Sequence, residues 1–343
     1  MTPGTLALVP PGTDQPLAPT PETNLLGLPM IRRTVLAGKK AGFDRVLVVA
    51  AAPAESLSRA LDGSSAELVA AGSRLPEGAA VLPWNVVVDT RALRELRSGR
   101  APSELGVAVS APADLARAER WLMSRLVKET DGFMARHFDR KISLALSRRL
   151  AATPITPNAV TLISVVIGLT GAPFFLSPRP ALQTVGALLF LLHSIVDGCD
   201  GELARLKLQE SRWGGILDFW GDNLVHVAIF AAIAVGWSLI ARASWPLLLG
   251  AAAVSGTLAS ATFAYTQTMR EPKEGPLFTH VTTSDAPGSK LVNALARRDF
   301  IYIVLALSLF GKANWFLALA AVGAPAFFVA LVLLGRRPET RPT

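Results

Sequence analysis

The stretch VDGCDGELARLKLQESRWGGILDFWGDNLVH, residues 196–226, places four carboxylates beside long apolar runs. These are Asp197, Asp200, Asp218 and Asp222. Ionisable groups at the ends of membrane spans are costly, and they are functional by default. The stretch therefore predicts a helical membrane protein with a polar site at the ends of two spans.

The spacing of the small and charged residues fits two helices. The first helix face carries residues at i, i+3, i+4, i+7 and i+8, namely Asp197, Asp200, Gly201, Ala204 and Arg205. The second face repeats every four residues, at Gly214, Asp218 and Asp222. If the two faces meet, four carboxylates converge in one pocket.

Converging carboxylates repel one another in a low dielectric unless cations lie between them. Oxygen ligands without His or Cys favour Mg²⁺, Mn²⁺ or Ca²⁺. Such cations clamp phosphate oxygens and neutralise a leaving phosphate. Small residues on the same faces, Gly201, Ala204 and Gly214, would let a nucleotide or a backbone approach, and Arg205 could pair with phosphates.

Apolar spans surround this stretch. Six are predicted, at 157–176, 181–205, 213–240, 245–268, 297–312 and 314–335, and the fifth is the shortest. With the N-terminal part inside, the inner loops and tail carry ten Lys and Arg residues against three in the outer loops. This bias predicts a cell-membrane protein whose N-terminal domain and acidic site face the cytoplasm.

The region before the predicted spans divides into two segments. Residues 1–112 alternate short helices and strands, with helices at 30–41, 54–61 and 90–96 and strands at 45–50, 80–89 and 105–110. This alternation predicts an α/β domain with a mostly parallel sheet. Residues 113–150 are basic and amphipathic, which predicts either a solvated linker helix or a juxtamembrane helix on the inner membrane surface. Residues 151–338 form the helical domain.

The composition agrees with a membrane protein. The chain of 343 residues is 51% hydrophobic and only 17% charged. Its single cysteine, Cys199, excludes an internal disulfide and a multi-cysteine zinc site. We interpret the net charge of +8 as a sign that the protein contacts anionic lipid. We expect no nucleic-acid partner. Residues 1–30 lack the pattern of a signal peptide.

The spacing of the acidic stretch resembles the signature of the CDP-alcohol phosphotransferase family. That signature is Asp, two residues, Asp-Gly, two residues, Ala-Arg, eight residues, Gly, three residues, Asp, three residues, Asp, and this chain departs from it at no position. The resemblance implies six transmembrane helices behind a juxtamembrane helix, a homodimer, and a site open to the cytoplasm. It also implies transfer of a substituted phosphoryl group from a CDP-alcohol to an alcohol, with release of CMP.

The resemblance also assigns roles to residues. Asp197, Asp200 and Asp218 would be ligands of two divalent cations, Mg²⁺ or Mn²⁺. Asp222 would complete the metal site and act as the general base. The CDP-binding surface would comprise Gly201, Ala204, Arg205 and Gly214. Asn158 and Thr161 in TPNAVT either contact the nucleotide or belong only to a helix start that Thr156 caps.

Two further resemblances narrow the prediction. KETDGFMARHFDRKISLALSRRLAATPITPN and the ARRDF before the fifth span are similar to di-myo-inositol phosphate phosphate synthases and related inositol-phosphate enzymes. An inositol-phosphate acceptor would need cations at the pocket mouth, and the candidates are Lys207, Arg212, Arg297 and Arg298. Each of them also fits a membrane anchor. CDP-diacylglycerol and CDP-inositol both remain candidate donors.

The N-terminal domain resembles a sugar-phosphate nucleotidyltransferase through NLLGLPMIRRTVLAGKKAGFDRVLVV. Active members carry a Gly-rich loop with Arg and Lys, whereas LALVPPGTDQPLAPTPETN has one Gly and no cation. We therefore expect a degenerate, catalytically silent domain.

Two other functions are alternatives to the phosphotransferase interpretation. An intramembrane prenyltransferase would place its Asp clusters on two well-separated helices. A transporter or scaffold would show internal repeats and spans broken near the midplane.

Overall fold

A computed structural model describes residues 4–12, 19–50, 55–102, 104–127, 134–270 and 300–335. The chain divides into two compact units. The first comprises Met1–Val127, Arg148–Pro154 and Ala204–Gln209, and the second comprises Lys128–Ser147, Ile155–Leu203 and Glu210–Thr343.

A four-stranded parallel sheet forms the centre of the first unit. Its strands lie in the order β5 (Glu67–Ala70), β4 (Arg45–Ala50), β1 (Thr5–Val9) and β6 (Ala80–Pro83). The register pairs Leu6 with Val46 on one side and with Ala80 on the other. The sheet confirms the predicted parallel α/β arrangement.

In the described residues up to Val127, four helices and two short antiparallel ribbons accompany this sheet. The helices are α1 (Met30–Lys40), α2 (Glu55–Leu61), α3 (Thr90–Arg97) and α4 (Pro112–Ser124). The ribbons pair β2 (Asn24–Leu25) with β3 (Leu28–Pro29), and β7 (Val86–Val87) with β8 (Val107–Ala108). Apolar side chains of the strands and of the helices packed with them form the core, among them Leu6, Ile31, Val46 and Leu93.

The second unit is built from long apolar helices. They are α6 (Pro157–Gly171), extended by a 3₁₀ turn at Ala172–Leu176, then α7 (Pro180–Lys207), α8 (Arg212–Ala241), α9 (Trp245–Arg270), α10 (Phe300–Leu309) and α11 (Ala313–Gly335). Five are long and apolar enough to cross a membrane, counting α6 with its 3₁₀ turn. The exception is α10, which has 10 residues in the described part of the predicted fifth span. The chain is an integral membrane protein.

The basic segment 113–150 contains two separate helices where it is described. The first is α4, and the second is α5 (Arg140–Ala151), which follows a π-helical turn at Ala135–Asp139. In the first unit, the indole N–H of Trp121 on α4 donates to Glu104 at 2.7 Å, and Arg125 pairs with the same carboxylate. These two side chains thus have partners within their own unit.

Helices α6 and α8 pack closely through glycine. A Cβ added at Gly168 of α6 would lie 2.5 Å from Val225 of α8, and one added at Gly221 of α8 would lie 2.6 Å from Val165 of α6. Small residues allow this approach between membrane helices. The two helices are therefore held in a fixed register beside the acidic residues of α8.

Candidate metal and nucleotide site

Helix α7 contributes two buried carboxylates. Asp197 is 2% exposed and Asp200 is 7% exposed. Their i, i+3 spacing puts both on one face of the helix, as the sequence predicts. Burying two acidic groups so close together is unfavourable without compensating charge.

Helix α8 brings the third carboxylate. The hydroxyl of Ser211 caps the start of α8 by accepting from the amide of Gly214 at 3.0 Å. Asp218 follows one turn later, and its carboxylate oxygen lies within 4.8 Å of ligand oxygens of Asp197 and Asp200. Three acceptor-only side chains at this separation could hold a hard divalent cation.

The side chain of Thr161 supports this cluster from α6. Its hydroxyl is buried and donates a short hydrogen bond to Asp200 Oδ2. It also lies 3.3 Å from the carbonyl oxygen of Pro157. Thr161, a candidate nucleotide contact, thus has its hydroxyl directed at a candidate metal ligand, while Asn158 is exposed.

Asp222 lies against a histidine that the sequence analysis does not single out. Its Oδ1 is 3.5 Å from Nε2 of His193, which is 2% exposed on α7. The other ring nitrogen, Nδ1, is 2.9 Å from the carbonyl oxygen of Ser164. A carbonyl only accepts, so Nδ1 carries a proton. His193 thus lies between Asp222 and the backbone of α6, with Nε2 facing the carboxyl group of Asp222. Its position four residues before Asp197 is the signal that could have revealed it.

Gly214 lies where α6 and α8 begin. A Cβ at this position would lie 3.0 Å from Asn158 Oδ1 and 3.1 Å from Ser211 Oγ. The predicted small residue therefore allows a close approach of the exposed Asn158 side chain to α8. Gly201 follows Asp200 directly on α7.

Ala204 and Arg205 lie in the last two turns of α7, in the segment that belongs to the first unit. Arg205 contributes positive potential there. Burial, and then the charges of Arg94 and Arg205, lower the pKa of Lys40 on α1 to about 8. Such a concentration of cations suits a phosphate ligand.

The acceptor candidates have different surroundings. The ammonium group of Lys207 donates to the carbonyl oxygen of Thr153 at 2.6 Å. Arg212 is exposed at the first position of α8. Arg297 and Arg298 lie outside the described residues.

A third buried carboxylate on α7, Glu202, has a different role from the aspartates. It is fully buried and accepts from Arg140 Nη1 at 2.6 Å, Ser143 Oγ at 2.8 Å and Ser147 Oγ at 2.7 Å. These donors belong to α5, so Glu202 ties α5 to the helix that carries Asp197 and Asp200. An ionisable residue inside a predicted span was the available signal.

The family model described as CDP-alcohol phosphatidyltransferase matches residues 154–336, just over half of the chain. The chain belongs to this family. The match includes all four motif aspartates and confirms the resemblance based on their spacing. It begins after the N-terminal α/β domain, whose likeness to a nucleotidyltransferase stays a prediction.

Curated relatives share part of this sequence. A protein of Rubrobacter xylanophilus named "Bifunctional IPC transferase and DIPP synthase" is 39% identical over 155 residues, 44% of this chain and 34% of that protein. A protein of the same name from Archaeoglobus fulgidus is 37% identical over 157 residues, 45% of this chain and 31% of that protein. The chain thus spans about a third of the length of these relatives.

Among solved structures, a phosphatidylinositol phosphate synthase of Mycobacterium tuberculosis with CDP-DAG bound gives a TM-score of 0.42 at 17% identity. The superposition covers 59% of this chain and 98% of that one.

Proposed function

We propose that the protein transfers a substituted phosphoryl group from a CDP-alcohol to an alcohol acceptor and releases CMP. The observation that carries the proposal is the convergence of Asp197, Asp200 and Asp218, within 4.8 Å, inside a segment that matches the CDP-alcohol phosphatidyltransferase family. A carboxylate cluster in an apolar bundle can hold cations, and those cations can bind the oxygens of a pyrophosphate.

Two divalent cations, Mg²⁺ or Mn²⁺, are the proposed cofactors. Asp197, Asp200 and Asp218 would hold them, with Asp222 completing the site. The residues fit because their oxygens are hard ligands and the cluster is largely buried. When bound, such cations neutralise negative charge on the donor pyrophosphate and on departing CMP.

Asp222 is the proposed general base. It would take the proton from the acceptor hydroxyl as that oxygen attacks the phosphorus bearing the donor alcohol. One P–O bond forms to the acceptor, and the bridging P–O bond of the pyrophosphate breaks, so that CMP leaves with its electron pair. His193, held by the Ser164 carbonyl at Nδ1, would leave Nε2 to accept a hydrogen bond from the Asp222 carboxyl group once that group has taken the proton.

The nucleotide would bind to the small-residue face of α7 and to the start of α8. Gly201, Ala204 and Gly214 leave room for it, and Arg205 supplies positive charge for the phosphates. The exposed amide of Asn158, next to Gly214, is a further proposed contact.

The names of the curated relatives support an inositol-containing substrate. The proteins of Rubrobacter xylanophilus and Archaeoglobus fulgidus are named "Bifunctional IPC transferase and DIPP synthase". A relative from Pyrococcus horikoshii, 30% identical over 110 residues, is named "Archaetidylinositol phosphate synthase". We propose inositol phosphate as the acceptor and CDP-inositol or CDP-diacylglycerol as the donor. The proposed acceptor cations are Lys207, Arg212, Arg297 and Arg298.

The excess of Lys and Arg in one set of predicted loops supports an orientation. We propose that the protein lies in the cell membrane with its N-terminal domain and acidic site in the cytoplasm. A homodimer and a catalytically silent N-terminal domain complete the proposal.

The test is CMP release by the full chain in detergent with Mg²⁺ or Mn²⁺. CDP-inositol and CDP-diacylglycerol are each paired with inositol phosphate, inositol and glycerol phosphate. Asp222→Asn should lower the rate by roughly 10²–10⁴-fold, as expected for loss of a general base. Asp62→Asn, the same change at an exposed site, should leave the rate unchanged.

Three other outcomes would each contradict the proposal in a different way. CDP binding without CMP release from any pair would contradict transfer to these acceptors. Absence of CDP binding would contradict the enzymatic proposal and favour a transporter or scaffold. Release of pyrophosphate from a prenyl donor would indicate the other enzyme class.

A further inference from the structure

The C-terminal end of α7 is capped by two backbone amides and by one side chain. The last carbonyl groups of a helix have no partner within the helix. Here the amide of Gln209 donates to Ala204 O at 2.8 Å, and that of Leu208 donates to Arg205 O at 3.3 Å. The Leu206 carbonyl accepts instead from a side chain, because Arg33 Nη1 donates to it at 2.7 Å across 173 residues of sequence.

Arg33 lies on α1 and is only 4% exposed. Its Nη2 donates to Leu25 O at 2.7 Å and to Leu26 O at 3.2 Å, in the turn between β2 and β3. These three acceptors of the guanidinium are all backbone carbonyls. Burial lowers the pKa of Arg33 to about 10, so the group stays charged at neutral pH. A cation at a helix C-terminus also complements the helix dipole.

Leu208 provides a second attachment for the same helix end. Its φ is 55°, in the left-handed region that residues other than glycine rarely adopt because it is sterically unfavourable. Its side chain packs against the hydrophobic core of the parallel-sheet unit. This apolar contact offsets the backbone cost. The helix end is therefore fixed by one charged cap and one apolar anchor, both within the first unit.

We propose that Arg33 is a positioning residue for the nucleotide-binding end of α7. By capping the Leu206 carbonyl, it fixes the final turn that carries Ala204 and Arg205. The inference rests on the proposed function, in which Arg205 meets the CDP phosphates. It gives the N-terminal α/β domain a role in the transfer reaction that needs no catalysis of its own.

The first test is hydrogen–deuterium exchange in the full chain, which requires no activity. Arg33→Met removes all three donated bonds, and Arg59→Met is the matched change at an exposed arginine of α2. The amides of Leu208 and Gln209 should exchange about tenfold faster or more in Arg33→Met, since bonds from a charged donor are lost. Exchange at residues 185–198 should not change, and Arg59→Met should match the parent protein.

The second test is binding of CDP and Mn²⁺. In Arg33→Met, CDP should bind about tenfold more weakly and the KM for the donor should rise more than kcat falls. Mn²⁺ affinity measured without nucleotide should stay as in the parent protein. Arg33→Lys, which keeps the charge and can donate to some of the carbonyls, should recover part of the CDP affinity. A general loss of structure would not produce this split.

Several results would overturn the proposal. Unchanged exchange at Leu208 and Gln209 would remove the capping role. Faster exchange with unchanged CDP affinity would remove the link to the nucleotide. If the parent protein does not bind CDP, the proposed function fails, while the exchange experiment still decides the cap. If Arg33→Met does not fold, Arg33→Lys and Leu208→Ala, which removes the apolar anchor but keeps the unfavourable left-handed conformation, must each speed exchange at the helix end.

Discussion

Removing the Glu202 carboxylate should destabilise the second unit more than any ordinary surface change. Glu202 is fully buried and accepts three short hydrogen bonds from Arg140, Ser143 and Ser147 of α5. The Arg140 side chain is itself only 15% exposed. The pair therefore forms largely outside water, where the loss of one partner is severe.

The magnitude follows from these contacts. Removing one member of a buried ion pair costs about 3–5 kcal/mol, because the remaining charge stays desolvated. We therefore expect Glu202→Ala to lower the free energy of unfolding by that amount. Glu202→Gln keeps the volume and one acceptor oxygen, so it should cost about 1.5–3 kcal/mol, the range for a hydrogen bond to a charged group.

The assay is unfolding of the detergent-solubilised chain, followed by circular dichroism against temperature and denaturant. A loss of about 3–5 kcal/mol corresponds to a fall in Tm of roughly 6–20 °C for a unit of this size. Glu77→Ala, at an exposed position, is the control and should stay within about 0.5 kcal/mol of the parent protein. If Glu202→Ala behaves like this control, or if Glu202→Gln costs more than Glu202→Ala, the reasoning about the buried pair is wrong.

Three other predictions address the site and the first unit. Replacing His193 by Leu should lower kcat by about 10–100-fold, because the protonated Asp222 carboxyl loses its hydrogen-bond acceptor, whereas Gln, which keeps an acceptor oxygen, should retain part of the rate; equal rates for both variants would contradict this. Thr161→Val should weaken Mn²⁺ binding by about 10–100-fold, as measured by electron paramagnetic resonance, whereas Thr161→Ser should retain most of the affinity because it keeps the hydroxyl that donates to Asp200. The pKa of Lys40 is lowered from 10.5 to about 8, so the folded chain binds fewer protons than the unfolded chain between these values, and the free energy of unfolding should rise with pH across that window. Lys40→Met should flatten this rise in unfolding titrations at pH 8 and pH 10, and an unchanged slope would contradict the assignment.

Features with a local cause could be predicted from the sequence. Apolar length determines which segments can cross a membrane, and the predicted spans at 157–176, 213–240 and 245–268 correspond to described helices with ends shifted by two residues or fewer. Helix periodicity likewise places Asp197 and Asp200 on one face. The start of α6 could also be predicted, because Thr156 caps the helix and Pro157 occupies its first turn.

Two strands of the four-stranded parallel sheet lie outside the predicted elements. Strand β1, Thr5–Val9, is central and buried, but it is only five residues long and runs directly into a proline-rich segment. Strand β5, Glu67–Ala70, lies at the sheet edge with mostly exposed side chains, so it shows no apolar alternation. A short strand without periodicity is defined by its hydrogen-bonded neighbours, which the local sequence does not reveal.

The residues that support the site could not be predicted because their partners are distant in the chain. His193 meets Ser164 across 29 residues, Glu202 meets Ser143 across 59, and Arg33 meets Leu206 across 173. No spacing rule relates such pairs. The aspartates could be predicted from the sequence because the chemistry needs several of them within two adjacent helices. Each supporting residue, by contrast, is a single polar side chain whose role depends on packing.

The central claim is that the carboxylates of α7 and α8 hold the divalent cations to which a CDP group binds. The most direct measurement is CDP affinity of the full chain by calorimetry, with Mn²⁺ and with EDTA, for the parent protein and for a variant in which Asp197, Asp200 and Asp218 are all Asn. We predict that the parent protein binds CDP only with Mn²⁺ and that the variant, still folded by circular dichroism, binds neither Mn²⁺ nor CDP. Equal CDP affinity in Mn²⁺ and EDTA, or Mn²⁺ binding retained by the variant, would contradict the account.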